Sequence, residues 1–352
     1  MSYFPPFPIP PTASTLLLSS AGTATVQKAY PADEVPRPFP GTGIGPMRYR
    51  GVNGVELIVQ PADGIKPIIA AVEAAQSAFD IVIFRFDLKP LEKAIEAAVK
   101  RGVKVRALIA HTNRGGEKRL RDLELRMLQA GVTVTRTADD LARYHAKMMI
   151  VDREELHVYG FNFTALDLKS RSFGIVARDR KIVQDALRLF EADVQRQNFE
   201  PTSDSLVISP ENAREQLATF LKRAKTSLAI YDPKVSDPGM IRLLAQRAKA
   251  GVDVRIIGKL AKRGNELRTQ KMPGGRLHVR AIVRDGEEVF VGSQSLRALE
   301  LDGRREVGLF CREAKVVKAI LEVFEADWAK TDLGQKELKA VEKDLELAEA
   351  AG

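Results

Sequence analysis

The sequence predicts an α/β fold built from two related halves, and three observations carry that reading. Residues 59–106 and 208–255 align without a gap at a constant offset of 149. Within each half, apolar segments follow strand–helix–strand spacing, the pattern of a βαβ unit with a mostly parallel, buried sheet flanked by helices. A histidine-centred motif then occurs once in each half, at His145 and at His278.

The elements follow in order. Ten of the 18 prolines fall within residues 1–46, so residues 1–50 are expected to form an extended proline-rich arm rather than the interior of a sheet. Residues 51–200 make the first half. Ile65 to Ala78 has helical apolar spacing and Asp80–Phe84 is a β-branched strand run. Pro90 to Lys100 is a second helix, with proline in its first turn and Gly102 just past its end. Val103 to Ile109 follows as a strand. The second half, residues 201–330, repeats the plan: Pro61 answers Pro210, Ala75 Ala224, Ile81 Ile230 and Gly102 Gly251. Farther on, Phe190-Glu191-Ala192-Asp193 returns letter for letter as Phe324-Glu325-Ala326-Asp327 at an offset of 134, so the second copy is about 15 residues shorter in its middle. Residues 331–352 place Leu338, Val341, Leu345 and Ala348 on one face of an acidic amphipathic helix expected to dock on the body.

Composition narrows the function classes. Hydrophobic residues are 45% and charged residues 29% of the 352, which excludes a disordered or collagen-like chain. The lone Cys311 excludes an internal disulfide and a cysteine-cluster zinc site. No apolar run approaches the roughly 18 residues a membrane span needs. Leu16-Leu17-Leu18 is too short for a signal-peptide core. These features lead to the expectation of a soluble, cytoplasmic protein. The net charge of +9 is unevenly spread: residues 331–352 carry −3, leaving +12 over residues 1–330 and pointing to an anionic partner.

Only four histidines occur, and two match between the halves. His145-Ala146-Lys147 leads into an apolar run ending at Asp152, with Asn162 ten residues beyond. His278-Val279-Arg280 leads to Asp285, then Gly292-Ser293-Gln294-Ser295, with Ser295 again ten residues beyond. Strand alternation puts each histidine on the same face as its cation. Two cations on a buried strand face are costly unless an anion neutralises them, so packing alone does not account for the pair. His111 and His157 have no such partners and read as packing or surface residues.

This His-x-Lys-x4-Asp motif, duplicated and followed by a Gly-Ser-x-Asn-like segment, resembles the phospholipase D superfamily over roughly residues 55–330. The resemblance implies two pseudo-symmetric halves sharing one central active site, with no metal or other cofactor. Because Asp152 and Asp285 are both present, the pattern departs from tyrosyl-DNA phosphodiesterases and polyphosphate kinases, which lack that aspartate. The implied chemistry suits the residue types. A neutral imidazole attacks phosphorus to form a phosphohistidine, a second histidine moves the proton, and cations hold the phosphoryl oxygens. Carried over by position, His145 is the nucleophile, His278 the general acid/base, and Lys147, Arg280, Asn162 and Ser295 hold oxygens. Asp152, Asp285, Gly292 and Ser293 are motif residues with structural roles. Glu306 matches the acid that orients the histidine of the opposite half, here His145. Its counterpart Ser172 is not acidic, so His278 is expected to lack a carboxylate.

The motifs also depart from the family pattern. Tyr159-Gly160-Phe161-Asn162 replaces Gly-Ser-x-Asn, and Arg280 and Ser295 replace Lys and Asn. A composite working site and a weakened or inactive anion-binding relative are both open readings. For substrate, Arg114, Lys118 and Arg119 in one half and Lys262 and Arg263 in the other are candidates for a basic rim at the strand ends. Strand alternation divides Tyr159, Phe161 and Phe163 between core and cleft. A phospholipid ranks ahead of nucleic acid, partly because aromatic content is only 6%. A superfamily nuclease cleaving DNA is the alternative. Peripheral membrane contact is compatible with the first choice, and two halves in one chain allow a monomer.

Overall fold

A computed structural model describes residues 49–50, 54–112, 117–261 and 267–350. The expected arm therefore lies outside them, apart from its last two residues. In the first half, β1 (Tyr49–Arg50), β2 (Glu56–Gln60), α1 (Lys66–Ala74), β3 (Ala78–Ile83), α2 (Lys89–Lys100) and β4 (Lys104–Ile109) come first. Next are α3 (Glu117–Gln129), β5 (Thr133–Arg136), β6 (Arg143–Tyr144), β7 (Met148–Val151), β8 (Glu155–Tyr159), α4 (Ala165–Leu168), β9 (Ser172–Ala177) and α5 (Arg180–Gln195). The second half runs β10 (Leu206–Ser209), α6 (Ala213–Lys222), β11 (Ser227–Val235), α7 (Pro238–Lys249), β12 (Asp253–Leu260) and β13 (Arg268–Gln270). It continues with β14 (Ala281–Arg284), β15 (Glu288–Gly292), α8 (Ala298–Asp302), β16 (Arg304–Cys311) and α9 (Ala314–Trp328), before the terminal α10 (Asp332–Ala350).

Each half contributes one sheet, ordered β1-β2-β9-β8-β7-β3-β4-β5 and β10-β16-β15-β14-β11-β12-β13. The α/β class and the two halves stand, but the sheets are mixed rather than mostly parallel. Within these two sheets β3-β4-β5 and β11-β12-β13 run parallel, and the strands from β7 and β14 outward pair antiparallel. The reason is loop length. β7 and β8 are joined by Asp152-Arg153-Glu154, and β14 and β15 by Asp285-Gly286-Glu287. Such turns allow only a hairpin. Both are tight turns with positive φ at their two central residues, 51° and 60° in one and 54° and 67° in the other.

The repeat also has a physical basis. Among the described residues α3 has no counterpart between β12 and β13, which accounts for the shorter middle of the second copy. Gly102 and Gly251 end their helices at φ of 89° and 88°, a conformation that disfavours a side chain. The shared Phe-Glu-Ala-Asp segment closes two buried clamps between the halves. Arg171 donates to Asp327 at 2.8 and 3.1 Å and to Gln60 O at 3.1 Å. Its counterpart Arg305 donates to Asp193 at 3.1 Å and to Ser209 O at 3.0 Å. Tyr231 also donates to Asp327, at 2.6 Å. Replacing Asp327 by alanine would leave a guanidinium buried without its carboxylate, which costs about 3–5 kcal/mol. Urea denaturation is expected to show that loss, and an unchanged midpoint would refute the clamp.

Both faces of each sheet are covered. Along β3, Ile81 and Ile83 join the core under α1–α3, while Val82 joins the central core that both halves share with α5 and α9. The second sheet has a corresponding outer core under α6 and α7. The docking expected of α10 holds through Leu333 and Glu337, which reaches Trp328 at 3.0 Å. It fails for Leu338 and Val341, which are 46% and 57% exposed. The side chains of Leu345 and Ala348 lie outside the described residues.

Candidate active site

The two histidines stand at the seam. β6 pairs parallel with β16, and His145 N–H donates to Arg305 O at 2.8 Å. The mirror contact joins Leu277 to Arg171, with His278 N–H donating to Arg171 O at 3.1 Å. The pairing of Val82 with Met148 and of Tyr231 with Ala281 carries both motifs to the C-terminal ends of β3 and β11. That is the end at which an α/β sheet opens its ligand crevice.

Around His145, Glu306 Oε2 lies 2.8 Å from Nδ1 and Lys147 Nζ lies 2.8 Å from Nε2. With the Glu306 carboxylate accepting from Nδ1–H, the tautomer leaves the lone pair on Nε2, where Lys147 donates. Phe84 packs edge-on to the imidazole at 4.5 Å, and the Lys147 ammonium sits 5.3 Å from the centre of the same ring. Burial, with Lys147 and Arg280 nearby, holds His145 well below the usual histidine range. Burial likewise pulls Lys147 down, against the pull of Glu306. Burial raises the Glu306 carboxyl.

His278 does have a carboxylate, contrary to expectation. Asp167 Oδ1 lies 3.4 Å from its Nδ1. Ser172, the position matching Glu306, instead donates its hydroxyl to His278 O at 3.2 Å. Asp167 is itself held by Asn162, whose backbone N–H and side-chain Nδ2 both donate to Oδ2 at 3.0 and 2.6 Å, and by Arg276. Burial pushes Asp167 up, but His278, Arg276 and Asn162 outweigh it and hold the group at about 2. Burial keeps His278 well below the usual range; Asp167 opposes this, while Arg280, Arg276 and Lys147 reinforce it. Arg280 acts on His145 and Lys147 acts on His278, so the two motifs lie within electrostatic reach of each other.

Arg280 Nε donates to Ser295 Oγ at 3.2 Å, and Ser295 N–H donates to Glu300 Oε2 at 2.8 Å. Glu300 stands to Ser295 as Asp167 stands to Asn162, five residues on. Asp152 and Asp285 lie away from the histidines, in the two hairpin turns. Asp152 accepts the N–H groups of Gln76, Ser77 and Ala78, and Asp285 those of Lys225, Thr226 and Ser227, all at 2.7–3.1 Å. They fasten each hairpin to the start of the neighbouring strand. Gly292 sits where an added Cβ would come within 2.7 Å of Gly308 Cα, and Ser293 N–H donates to Val307 O at 3.1 Å.

Tyr159, Phe161 and Phe163 do not divide between core and cleft. All three are fully buried in the outer core of the first half. Of the basic rim, Lys118 and Arg119 are exposed on α3, while Arg114, Lys262 and Arg263 lie outside the described residues. His157 pairs with Glu155 at 2.5 Å and Tyr159 at 3.0 Å, away from the seam. Among the described residues, no group of three or more His, Cys, Asp or Glu could hold a metal ion. No helix among them is long and apolar enough to cross a membrane.

Comparison with known proteins adds the family. No curated protein matches the chain. The polyphosphate kinase of Porphyromonas gingivalis is similar at 20% identity and a TM-score of 0.64 over 77% of this chain. The chain spans only 50% of that kinase's length. Phosphatidylserine synthase of Haemophilus influenzae is similar at 11% identity and a TM-score of 0.62, covering 80% of this chain and 87% of the other. At these identities the likeness is one of fold. The family model described as "Cardiolipin synthase, PLD-like domain" matches residues 68–194 and 217–328, one segment in each half. Most of the chain is covered by those two segments, and it belongs to the cardiolipin synthase-type family of phospholipase D-like domains.

Proposed function

We propose that the protein cleaves or exchanges the phosphodiester of a phospholipid through a phosphohistidine on His145, without a metal. The observation that carries this reading is the line Glu306–His145–Lys147, which spans both halves with 2.8 Å contacts at each imidazole nitrogen. In the first step Nε2 bonds to phosphorus as the bond to the leaving alcohol oxygen breaks, and His278 gives that oxygen its proton. In the second, water or an acceptor alcohol passes its proton to His278 while its oxygen displaces Nε2. Glu306 stabilises the positive charge that the imidazole acquires on phosphorylation. Lys147 leaves the lone pair of Nε2 for the phosphoryl oxygens, joined by the guanidinium of Arg280 and the hydroxyl of Ser295. The anion offsets the cations that depress His278, and with Asp167 ionised beside it His278 can carry the proton it donates.

The test is an assay in EDTA of the wild type and His145→Ala against phosphatidylglycerol, phosphatidylcholine and plasmid DNA. Head-group release or exchange by the wild type alone is expected. Intact lipid with cut plasmid would make the protein a nuclease, and no cleavage with no trapped phosphohistidine would make it a non-catalytic anion binder.

The pH profile follows from the same geometry. The nucleophile must be neutral, and its proton affinity is lowered, so it is deprotonated from neutrality down past the usual histidine value of 6.5. The acid limb of kcat/KM is expected below pH 6.5; a limb at or above that value would count against His145 as the attacking base.

A further inference from the structure

The described residues include six large exposed hydrophobic side chains: Leu125, Leu128, Leu166, Leu299, Leu338 and Val341. Leu125 and Leu128 lie on α3 and Leu338 and Val341 on α10, neither of which has a counterpart in the other half among the described residues. Leu166 and Leu299 alone are matched between the halves. Leu166 is 49% exposed on α4 and Leu299 is 44% exposed on α8. Each follows an exposed alanine and immediately precedes the buried acid, Asp167 or Glu300, that reaches into the site.

Their position is fixed at the mouth. The start of α4 is tied to the loop after β3, with Ala165 N–H donating to Asp87 Oδ1 at 2.8 Å and Asp87 N–H to Phe163 O at 2.9 Å. The approach to α8 is tied to the loop after β11, with Ser236 and Asp237 N–H both donating to Leu296 O at 2.9 Å. Both leucines therefore stand at the strand ends where His145 and His278 lie. The loop after β3 and the last residues of β11 carry exposed cations at equivalent repeat positions, Arg85 and Lys234, and Lys169 is exposed just past α4. Two exposed acids stand among them and both are engaged: Asp87 at the start of α4, and Asp302, the counterpart of Lys169, by Arg214 at 2.7 Å.

We infer that Leu166 and Leu299 are a paired membrane foot, which seats the mouth of the active site on an anionic lipid surface. The leucines enter the boundary between head groups and acyl chains, while Arg85, Lys169 and Lys234 meet the lipid phosphates. Apolar insertion and electrostatic attraction together give interfacial binding that neither gives alone. This rests on the reading of a phospholipid substrate, and it explains how a diester anchored in a bilayer reaches two histidines that are more than 90% buried.

The experiment compares the wild type with Leu166→Ser/Leu299→Ser in three measurements. These are flotation with phosphatidylglycerol–phosphatidylcholine vesicles, cleavage of those vesicles, and cleavage of a short-chain phosphatidylglycerol dissolved as monomers. Vesicle binding and vesicle cleavage are expected to fall about tenfold, with monomer cleavage and the melting temperature unchanged. Raising salt is expected to weaken wild-type flotation further. Unchanged vesicle binding by the double variant overturns the proposal. A wild-type dimer that the substitutions convert to monomer also overturns it, because the leucines would then join two copies. Leucine-dependent flotation with neither lipid form cleaved supports the foot and refutes the lipid-cleaving reading. Cleavage of dissolved lipid without flotation refutes the foot and leaves that reading standing.

Discussion

Replacing His145 by alanine is expected to reduce phosphodiester turnover by about 10⁴-fold or more, since a covalent nucleophile cannot be bypassed by the groups that remain. The fold should survive. His145 is attached to the second half through its backbone N–H, which an alanine keeps, as well as through Nδ1 to Glu306, which it loses. Substrate binding should also persist, because Lys147 and Arg280 are untouched. The measurement pairs single-turnover rates with acid-quenched trapping of labelled phosphoprotein. Label on the wild type and none on His145→Ala is the expected result. Label that persists on the variant would move the covalent step to His278.

The second large effect is expected at Asp167. Changing it to asparagine keeps the shape but removes the charge beside His278 and repels Nδ2 of Asn162, which now donates to it at 2.6 Å. Turnover is expected to fall by about ten- to a hundredfold, the scale set by a misplaced proton donor. The rate should fall mainly in kcat, and the alkaline limb of the profile should move to lower pH, because His278 loses the neighbour that raises its proton affinity. Asp167→Glu should restore part of both. A purely structural role would lower stability and leave the pH profile in place. Stability has its own signature: a carboxyl held at about 2 against 3.8 stabilises the folded protein above pH 3.8, and that contribution is lost as pH falls towards 2.

Much of the fold and site is legible in the sequence because it is local. The paired histidines, the repeat offset, and the helix between Pro90 and Gly102 depend on neighbours along the chain. The βαβ spacing is plain in the apolar runs and suggests mostly parallel sheets, whereas the hairpins announce themselves only through Asp152-Arg153 and Asp285-Gly286. Of these, Asp285-Gly286 is the recognisable turn signal. Tyr159, Phe161 and Phe163 alternate as if on a strand, yet Phe161 and Phe163 lie past the end of β8, where alternation no longer governs direction. Asp167 escapes a match of repeat positions because it does not stand where Glu306 does. Its trace is present: an acid stands five residues after Asn162 and another five after Ser295. That the first of them comes within 3.4 Å of a histidine, while the second acts on His145 from farther off, depends on how the halves meet.

The seam also determines what the chain could have been. Each histidine draws its carboxylate from the opposite half, Glu306 for His145 and Asp167 for His278, and the two acids occupy different places in the repeat. A homodimer of first halves would set Ser172 against His145, and one of second halves would set Glu306 against a histidine whose motif carries arginine. Neither reproduces the present pair of environments. The duplication is thus no longer two interchangeable copies: the two histidine environments have become separate inheritances, and each is complete only where the two different halves meet.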